Sequence, residues 1–482
     1  MASTYRTPVR TGNVNRAGSE QAGRPRKPDH ASGTCVVKKM RFLRGNSVAL
    51  GMPARTRRAL ATLLVGGALS GSLIALAAPN GGPGRSASGS KLLDKTSTSS
   101  RAQGAHVASL LDGFDPRSHR ELDGRLVSDL PGGKLAELTL DAGLQAHLAA
   151  LLQSYEVPVG AVVAIEPASG RVLAYVGHAS AGAPGDVARD ASAPSASVFK
   201  LITASALLDA GVAPETRVCY GGGLHRLLTA DITDDPRRDR SCASFEDAIG
   251  SSINAIVAKL ADRNLDRTRL QRYAEAFGFG HALPFDAPTQ ASTADIPDER
   301  LEFARTAAGF WHTRMSPLHA ALIAATIAND GVMPRAAMVE RVLDAHKRVL
   351  YTHEPSDFRN VIPRATANTL GRMMLSCVSH GTARGAFYDP QGHPFLPGIA
   401  VAGKTGSLSE ERPYRAYSWW VGFAPQTAPE IAVAALVVNS PKWRIKASYV
   451  AREALRYYLI ERKANAAAAA SSERLPGHVD GE

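Results

Sequence analysis

A lysine set inside an apolar run is the feature that most narrows what this chain can fold into. Lys200 lies within Val198-Phe199-Lys200-Leu201-Ile202-Thr203-Ala204-Ser205-Ala206-Leu207-Leu208. Pro194 and the small polar residues after it mark a helix start, and the run beyond them reads as a buried helix. Positions three apart on a helix share a face, so the hydroxyl of Ser197 and the amine of Lys200 can meet. A serine hydroxyl is a poor nucleophile until a base takes its proton. Burial and a second nearby cation both favour neutral lysine, the form that can serve as that base.

Two further motifs come later in order. Ser252-Ile253-Asn254 lies in a run from Ser244 to Arg263 that reads as one helix, with Glu246 and Asp247 in its first turn. Lys404-Thr405-Gly406 closes the first of three late strand segments, Ile399–Thr405, Tyr417–Ala424 and Ile431–Val438. Taken singly, a Ser-x-x-Lys is usually a solvated pair, a Ser-x-Asn a helix cap and a Lys-Thr-Gly a turn. Their order and their contexts make them specific together.

The elements around them predict an α+β fold. Leu138–Asp141 reads as a short strand and Gln145–Tyr155 as a helix. Val159–Glu166 and Arg171–Gly177 read as a hairpin across the turn Pro167-Ala168-Ser169-Gly170. Ser316-Pro317 opens a long apolar helix through Ala328, residues 366–378 are helical, and a last helix covers about 447–463. The early and late strands predict one antiparallel sheet flanked by helices, with a helical subdomain.

The net charge of +12 would suit nucleic acid, but its placement argues otherwise. Nearly all the excess precedes residue 59, and the remainder is close to neutral, so the folded part has no basic footprint. Residues 1–58 read as a disordered, basic cytoplasmic tail. Ala59 to Ala78 is an uncharged apolar run of bilayer-spanning length, directly after Arg55, Arg57 and Arg58. It reads as an N-terminal transmembrane helix or, since Ala75-Leu76-Ala77 fits a cleavage site, as a signal segment. Either way the positive flank predicts that the chain beyond it lies outside the cytoplasmic membrane. Residues 79–130 read as a linker, 131–465 as the folded domain, and 466–482 as a disordered tail. Cys219 and Cys242 flank a polar excursion; they read as either a bridge or two separate thiols.

With these motifs in place, residues from about 135 to 463 resemble a penicillin-binding D,D-transpeptidase domain of the serine β-lactamase-like superfamily, whose signature trio they carry. Leu138 to Gln145, Ala161 to Tyr175, Met315 to Gly331, Gly381-Thr382-Ala383-Arg384 and Trp419 to Pro425 also resemble that family. The resemblance implies peptidoglycan stem peptides as substrate and β-lactams as inhibitors. It implies Ser197 as nucleophile, Lys200 as base, and Ser252 as a relay bridging Lys200 and Lys404. Asn254 would hold the acyl-side amide of the donor. Lys404 and Thr405 would hold its terminal carboxylate, and Gly406 would let the strand approach. The backbone N–H groups of Ser197 and Ser407 would form an oxyanion hole. No metal or cofactor is implied, and His281, His312 and His319 show no ligand spacing.

About 150 residues separate Asn254 from Lys404, which argues against a compact class A β-lactamase. The linker of about 50 residues, 79–130, is too short for a glycosyltransferase domain, so a separate glycosyltransferase or cell-wall synthesis complex is the expected partner. The same site passing its acyl group to water would be a carboxypeptidase or weak β-lactamase. A non-catalytic penicillin-sensing or septal scaffold is the reading from another class.

Overall fold

Val159–Ile165 (β1) is buried along nearly its whole length, which marks a strand covered on both faces. It turns at Gly170, whose φ of +77° suits a residue without a side chain, and pairs antiparallel with Val172–Ala179 (β2). The late segments Ala402–Glu411 (β3), Tyr414–Ala424 (β4) and Ile431–Asn439 (β5) complete an antiparallel sheet in the order β3-β4-β5-β1-β2. β3 therefore lies at an edge. The computed structural model describes residues 107–180 and 185–465.

Helices α1 (Ala142–Ser154), α5 (Pro317–Ala328) and α6 (Ala447–Arg456) cover the two faces, and α2 (Lys200–Asp209), α3 (Phe245–Gly250) and α4 (Asn254–Asn264) pack mainly with one another and with other helices. The sequence explains their starts. Asp141 accepts from the Leu144 N–H and Ser316 from the His319 N–H, with Pro317 in the first turn of α5. α5 is buried on every side, as its uninterrupted apolar sequence requires. It packs on one face of the sheet with α2 and Trp419, while α1, α6 and Trp420 pack on the other. Adjacent tryptophans reaching opposite layers is the strand's twofold alternation in its simplest form.

The α+β architecture matches the expectation, but several boundaries do not. Residues 120–130, read as linker, form strands Arg120–Leu122 and Arg125–Leu130 about an Asp123-Gly124 turn with φ of +50° and +73°. They extend a second sheet through Lys134–Leu138, Val339–Leu343 and Val349–Thr352. The strand expected at Leu138–Asp141 is Lys134–Leu138. The Lys404 strand starts and ends later than expected, so Lys404-Thr405-Gly406 lies near its start, not its end. Ser244–Arg263 is not one helix: α3 and α4 are separated at Ser251-Ser252-Ile253, where Ser252 has a φ of +56°. The helical region at 366–378 is Arg364–Met373 followed by Leu375–Ser379, and α6 continues as a π-turn, Tyr457–Glu461.

Cys219 and Cys242 are bridged across paired strands, Arg217–Tyr220 and Ser241–Ser244. The basic segment 1–58, the apolar run 59–78 and the tail 466–482 lie outside the described residues. Among the described residues no helix is long and apolar enough to cross a membrane.

Candidate active site

Ser197 sits in a 3-10 turn, Ala196–Phe199, that feeds directly into α2. The turn is held under strain: Ala196 has a left-handed φ of +49°, which a residue with a Cβ rarely adopts. Neighbouring elements hold it there. Trp419 Nε1 donates to the Pro194 carbonyl at 2.9 Å, and the Ser195 N–H to the Thr313 carbonyl at 3.1 Å. Gly309, with φ of +81°, packs so closely that a Cβ on it would lie 2.3 Å from the Ala196 carbonyl oxygen. Ser197 itself stays half-buried.

Lys200, one turn on, is completely buried. Its Nζ lies 2.7 Å from Ser197 Oγ, 2.6 Å from Asn254 Oδ1 and 2.6 Å from the Ala308 carbonyl. Burial first, and then the charge of Lys404, drives its pKa well below the ordinary lysine value. The neutral amine has two N–H groups and one lone pair. Asn254 Oδ1 and the Ala308 carbonyl are pure acceptors and take the two N–H groups. The lone pair is left facing the Ser197 hydroxyl.

Ser252 projects from the break between α3 and α4. It accepts from Lys404 Nζ at 3.0 Å, and no hydrogen bond joins it to Lys200 among the described residues. The expected bridge between the two lysines is thus half present. Asn254 opens α4 and is committed at both ends: Oδ1 to Lys200 and Nδ2 to the Leu224 carbonyl at 2.6 Å. Lys404 is fully buried, and burial pushes its pKa down to about 8. It also donates to the Thr405 carbonyl at 2.8 Å.

The close approach of β3 to the Ser197 turn depends on Gly406. A Cβ there would sit 3.1 Å from Val198 Cγ2 and 3.3 Å from Ala196 Cβ. The next residue, Ser407, is exposed beside that turn. The three distant motifs therefore converge, with two amines and two hydroxyls at one groove.

Sequence reasoning missed three contributors. The Ala308 carbonyl and Gly309 carry no residue-type signature, since one acts through its backbone and the other through the absence of a side chain. Thr382 had a signal, the Gly381-Thr382 pair, without an assigned role. Its Oγ1 lies 2.6 Å from Thr405 Oγ1, and its N–H donates to the Gly250 carbonyl at 3.2 Å, tying β3 to the Ser252 turn. His319, one of the histidines read as not ligating, is a core residue with Nε2 2.7 Å from the Phe277 carbonyl.

Comparison with known proteins gives a consistent result. The family model described as the penicillin binding protein transpeptidase domain matches residues 160–457. The chain is 27% identical over 373 residues to peptidoglycan D,D-transpeptidase PbpA of Mycolicibacterium smegmatis, covering 68% of this chain and 72% of that one. It is 28% identical over 365 residues to the Mycobacterium tuberculosis PbpA, covering 67% and 72%. The crystal structure of PBPA from M. tuberculosis is similar, with a TM-score of 0.58, 25% identity, and coverage of 67% of this chain and 82% of that one. The penicillin G acyl-enzyme complex of the same protein is similar in fold, with a TM-score of 0.56, 24% identity, and coverage of 74% and 84%.

Proposed function

The chain belongs to the penicillin binding protein transpeptidase domain family, and from that premise we propose how its residues perform peptidoglycan D,D-transpeptidation. It is a serine-type D,D-transpeptidase acting on stem peptides. The donor peptide lies along the outer edge of β3, with its terminal carboxylate at Lys404 and Thr405. Ser197 Oγ attacks the carbonyl of the penultimate residue, and its proton passes to the Lys200 lone pair. The oxyanion forms against the backbone N–H groups of Ser197 and Ser407, where one such donor is typically worth about 3 kcal/mol of barrier.

Collapse of the intermediate breaks the peptide bond, and the leaving amine needs a proton. Because Ser252 meets Lys404 and not Lys200, the short route runs from Lys404 through the Ser252 hydroxyl. A lysine with a pKa near 8 gives up a proton readily. Lys200 has gained one proton and Lys404 has lost one, so the site keeps a single cation throughout. The amine of a second stem peptide then attacks the acyl-serine and passes a proton through Ser252 to the neutral Lys404, while Lys200 returns its proton to Ser197 Oγ as the ester bond breaks. The observation that carries this reading is the 2.7 Å approach of a fully buried, neutral-favouring Lys200 to Ser197.

β-Lactams inhibit by occupying the same serine; the M. tuberculosis relative forms an acyl-enzyme complex with penicillin G. The domain works outside the cytoplasmic membrane, anchored by residues 59–78 behind Arg55, Arg57 and Arg58. The Cys219–Cys242 bridge supports an oxidising location. Glycan strands are supplied by a separate glycosyltransferase. The test is mass spectrometry after incubation with penicillin. One adduct is expected on wild type and none on Ser197→Ala. An unlabelled wild type, beside a control that labels, overturns the reading.

A further inference from the structure

The strap between Cys219 and Cys242 takes no part in the steps above, yet its backbone reaches Asn254, which holds the base. The disulfide closes it at its foot. Near its start, the Leu224 carbonyl accepts from Asn254 Nδ2 at 2.6 Å. Farther on, the Leu227 carbonyl accepts from Arg305 Nε and Nη2 at 3.0 and 2.7 Å. The returning limb is tied to the helix that carries Asn254. Lys259 on α4, fully buried, donates to Asp239 Oδ2 at 2.5 Å, Asp234 Oδ1 at 3.2 Å and the Cys219 carbonyl at 3.0 Å.

A primary amide has one accepting end and one donating end, and can be seated either way round. The Leu224 carbonyl only accepts, so it admits the NH2 end of Asn254. That turns Oδ1 toward Lys200, 2.6 Å away. Lys200 then spends its N–H groups on Asn254 and Ala308 and keeps its lone pair for the Ser197 proton. With the amide reversed, an Asn254 N–H would compete with Ser197 for that lone pair, and two oxygens would face each other at Leu224.

We propose that the strap is a positioning element: the Leu224 carbonyl, held by the disulfide and by Lys259 and Arg305, sets the orientation of Asn254 and so keeps Lys200 available as the base. The inference rests on the assignment of Ser197 and Lys200 as nucleophile and base. Strap residues touch neither substrate nor Ser197 in this scheme and act only through Asn254.

The test uses the full chain and a fluorescent penicillin. Acylation is resolved into a limiting rate and a half-saturation concentration, each referred to sites titrated by mass spectrometry. The variants are Cys219→Ser with Cys242→Ser, and Arg305→Gln, which leaves the bridge intact. A positioned base contributes roughly 10²–10⁴-fold, and a mis-seated partner forfeits about tenfold of that. The limiting rate should fall by about that factor in the double cysteine variant and by less in Arg305→Gln, with half-saturation nearly unchanged. In an Asn254→Ala background the same changes should shift the rate by less than about twofold, because the coupled partner is gone. Equal losses in both backgrounds would overturn the proposal. So would an unchanged rate per site with fewer sites, which is what mere structural support gives. If the cysteine variant does not fold, Arg305→Gln decides alone, and an unchanged rate there overturns it. A wild type without adduct removes the nucleophile assignment itself and this inference with it.

Discussion

In the proposed scheme the two lysines of the groove have different tasks, and their surroundings differ accordingly. Lys200 is buried and repelled by Lys404, so its neutral form is favoured. Lys404 is also buried, but stays largely cationic at neutral pH with a pKa of about 8. As pH rises through that value Lys404 loses its charge, and with it the attraction for the substrate carboxylate. As pH falls through the depressed Lys200 value, the base is protonated and lost. The rate of acylation at low penicillin should therefore be bell-shaped, with an alkaline limb near pH 8, in a profile measured between about pH 5 and 10. A flat alkaline side would remove Lys404 as the carboxylate's partner. Gly309 permits a second prediction. Gly309→Ala must place a Cβ 2.3 Å from the Ala196 carbonyl at a φ of +81°. Left-handed strain costs about 1–3 kcal/mol, and displacing the Ser197 turn by about 1 Å costs about 10²-fold in rate. Urea unfolding and the acylation rate check the two effects separately. The side chains that converge on the groove were legible in sequence because acyl-serine chemistry demands those residue types at those spacings. Gly309 and the Ala308 carbonyl were not, because nothing in a one-dimensional pattern says which backbone group will face a lysine.

The break at Ser252 shows where local reading yields to tertiary structure. Ser244 and Asp247 form a capping box, and Ala255 onward is good helix sequence, so one continuous helix was the local optimum. Packing decides otherwise. Gly250 lies so close to Ser376 that a Cβ there would be 2.2 Å from its Oγ, and its carbonyl accepts from the Thr382 N–H. The chain leaves α3 at this point and turns through Ser252 to present a hydroxyl to Lys404. The turn and the hydroxyl can be separated by mutation. Ser252→Gly removes the hydroxyl and relaxes the left-handed backbone, whereas Ser252→Ala removes the hydroxyl alone. Both should acylate equally slowly. The glycine variant should be the more stable by about 1 kcal/mol, read from thermal melts. If the alanine variant acylates as fast as wild type, the proton route through Ser252 is wrong. The first hairpin of the second sheet escapes the sequence pattern for a related reason. Its Asp123-Gly124 turn was visible in sequence, but its first strand is three exposed residues, and Arg125–Leu130, though largely buried, lacks a clean twofold alternation. The sheet they join also takes strands from about 340 to 350, some 200 residues later.

At the scale of the molecule, the order of the motifs along the chain is set by the sheet. The hairpin β1–β2 comes early and β3–β5 come late, so everything between them must be an excursion from one sheet edge back to the other. Ser197, Ser252 and Asn254 ride on that excursion, and Lys404 waits on the edge strand that closes it. This is why sequence showed the sheet and the trio but not that Lys200 would meet Asn254 and the Ala308 carbonyl while Ser252 meets Lys404. The same topology sends the strap out from the excursion, where its two cysteines depend on the redox state outside the fold. If residues 59–78 carry the domain across the membrane, the bridge forms in the oxidising compartment. Deleting 59–78 should then keep the chain in the cytoplasm with Cys219 and Cys242 reduced, and with no labelling of intact cells by a membrane-impermeant penicillin. Differential thiol alkylation before lysis, read by mass spectrometry, distinguishes the two states, with Cys377 as the internal free-thiol reference. A bridge formed equally with and without the apolar run would show that segment is not what exports the domain, since the thiols record the compartment in which folding took place.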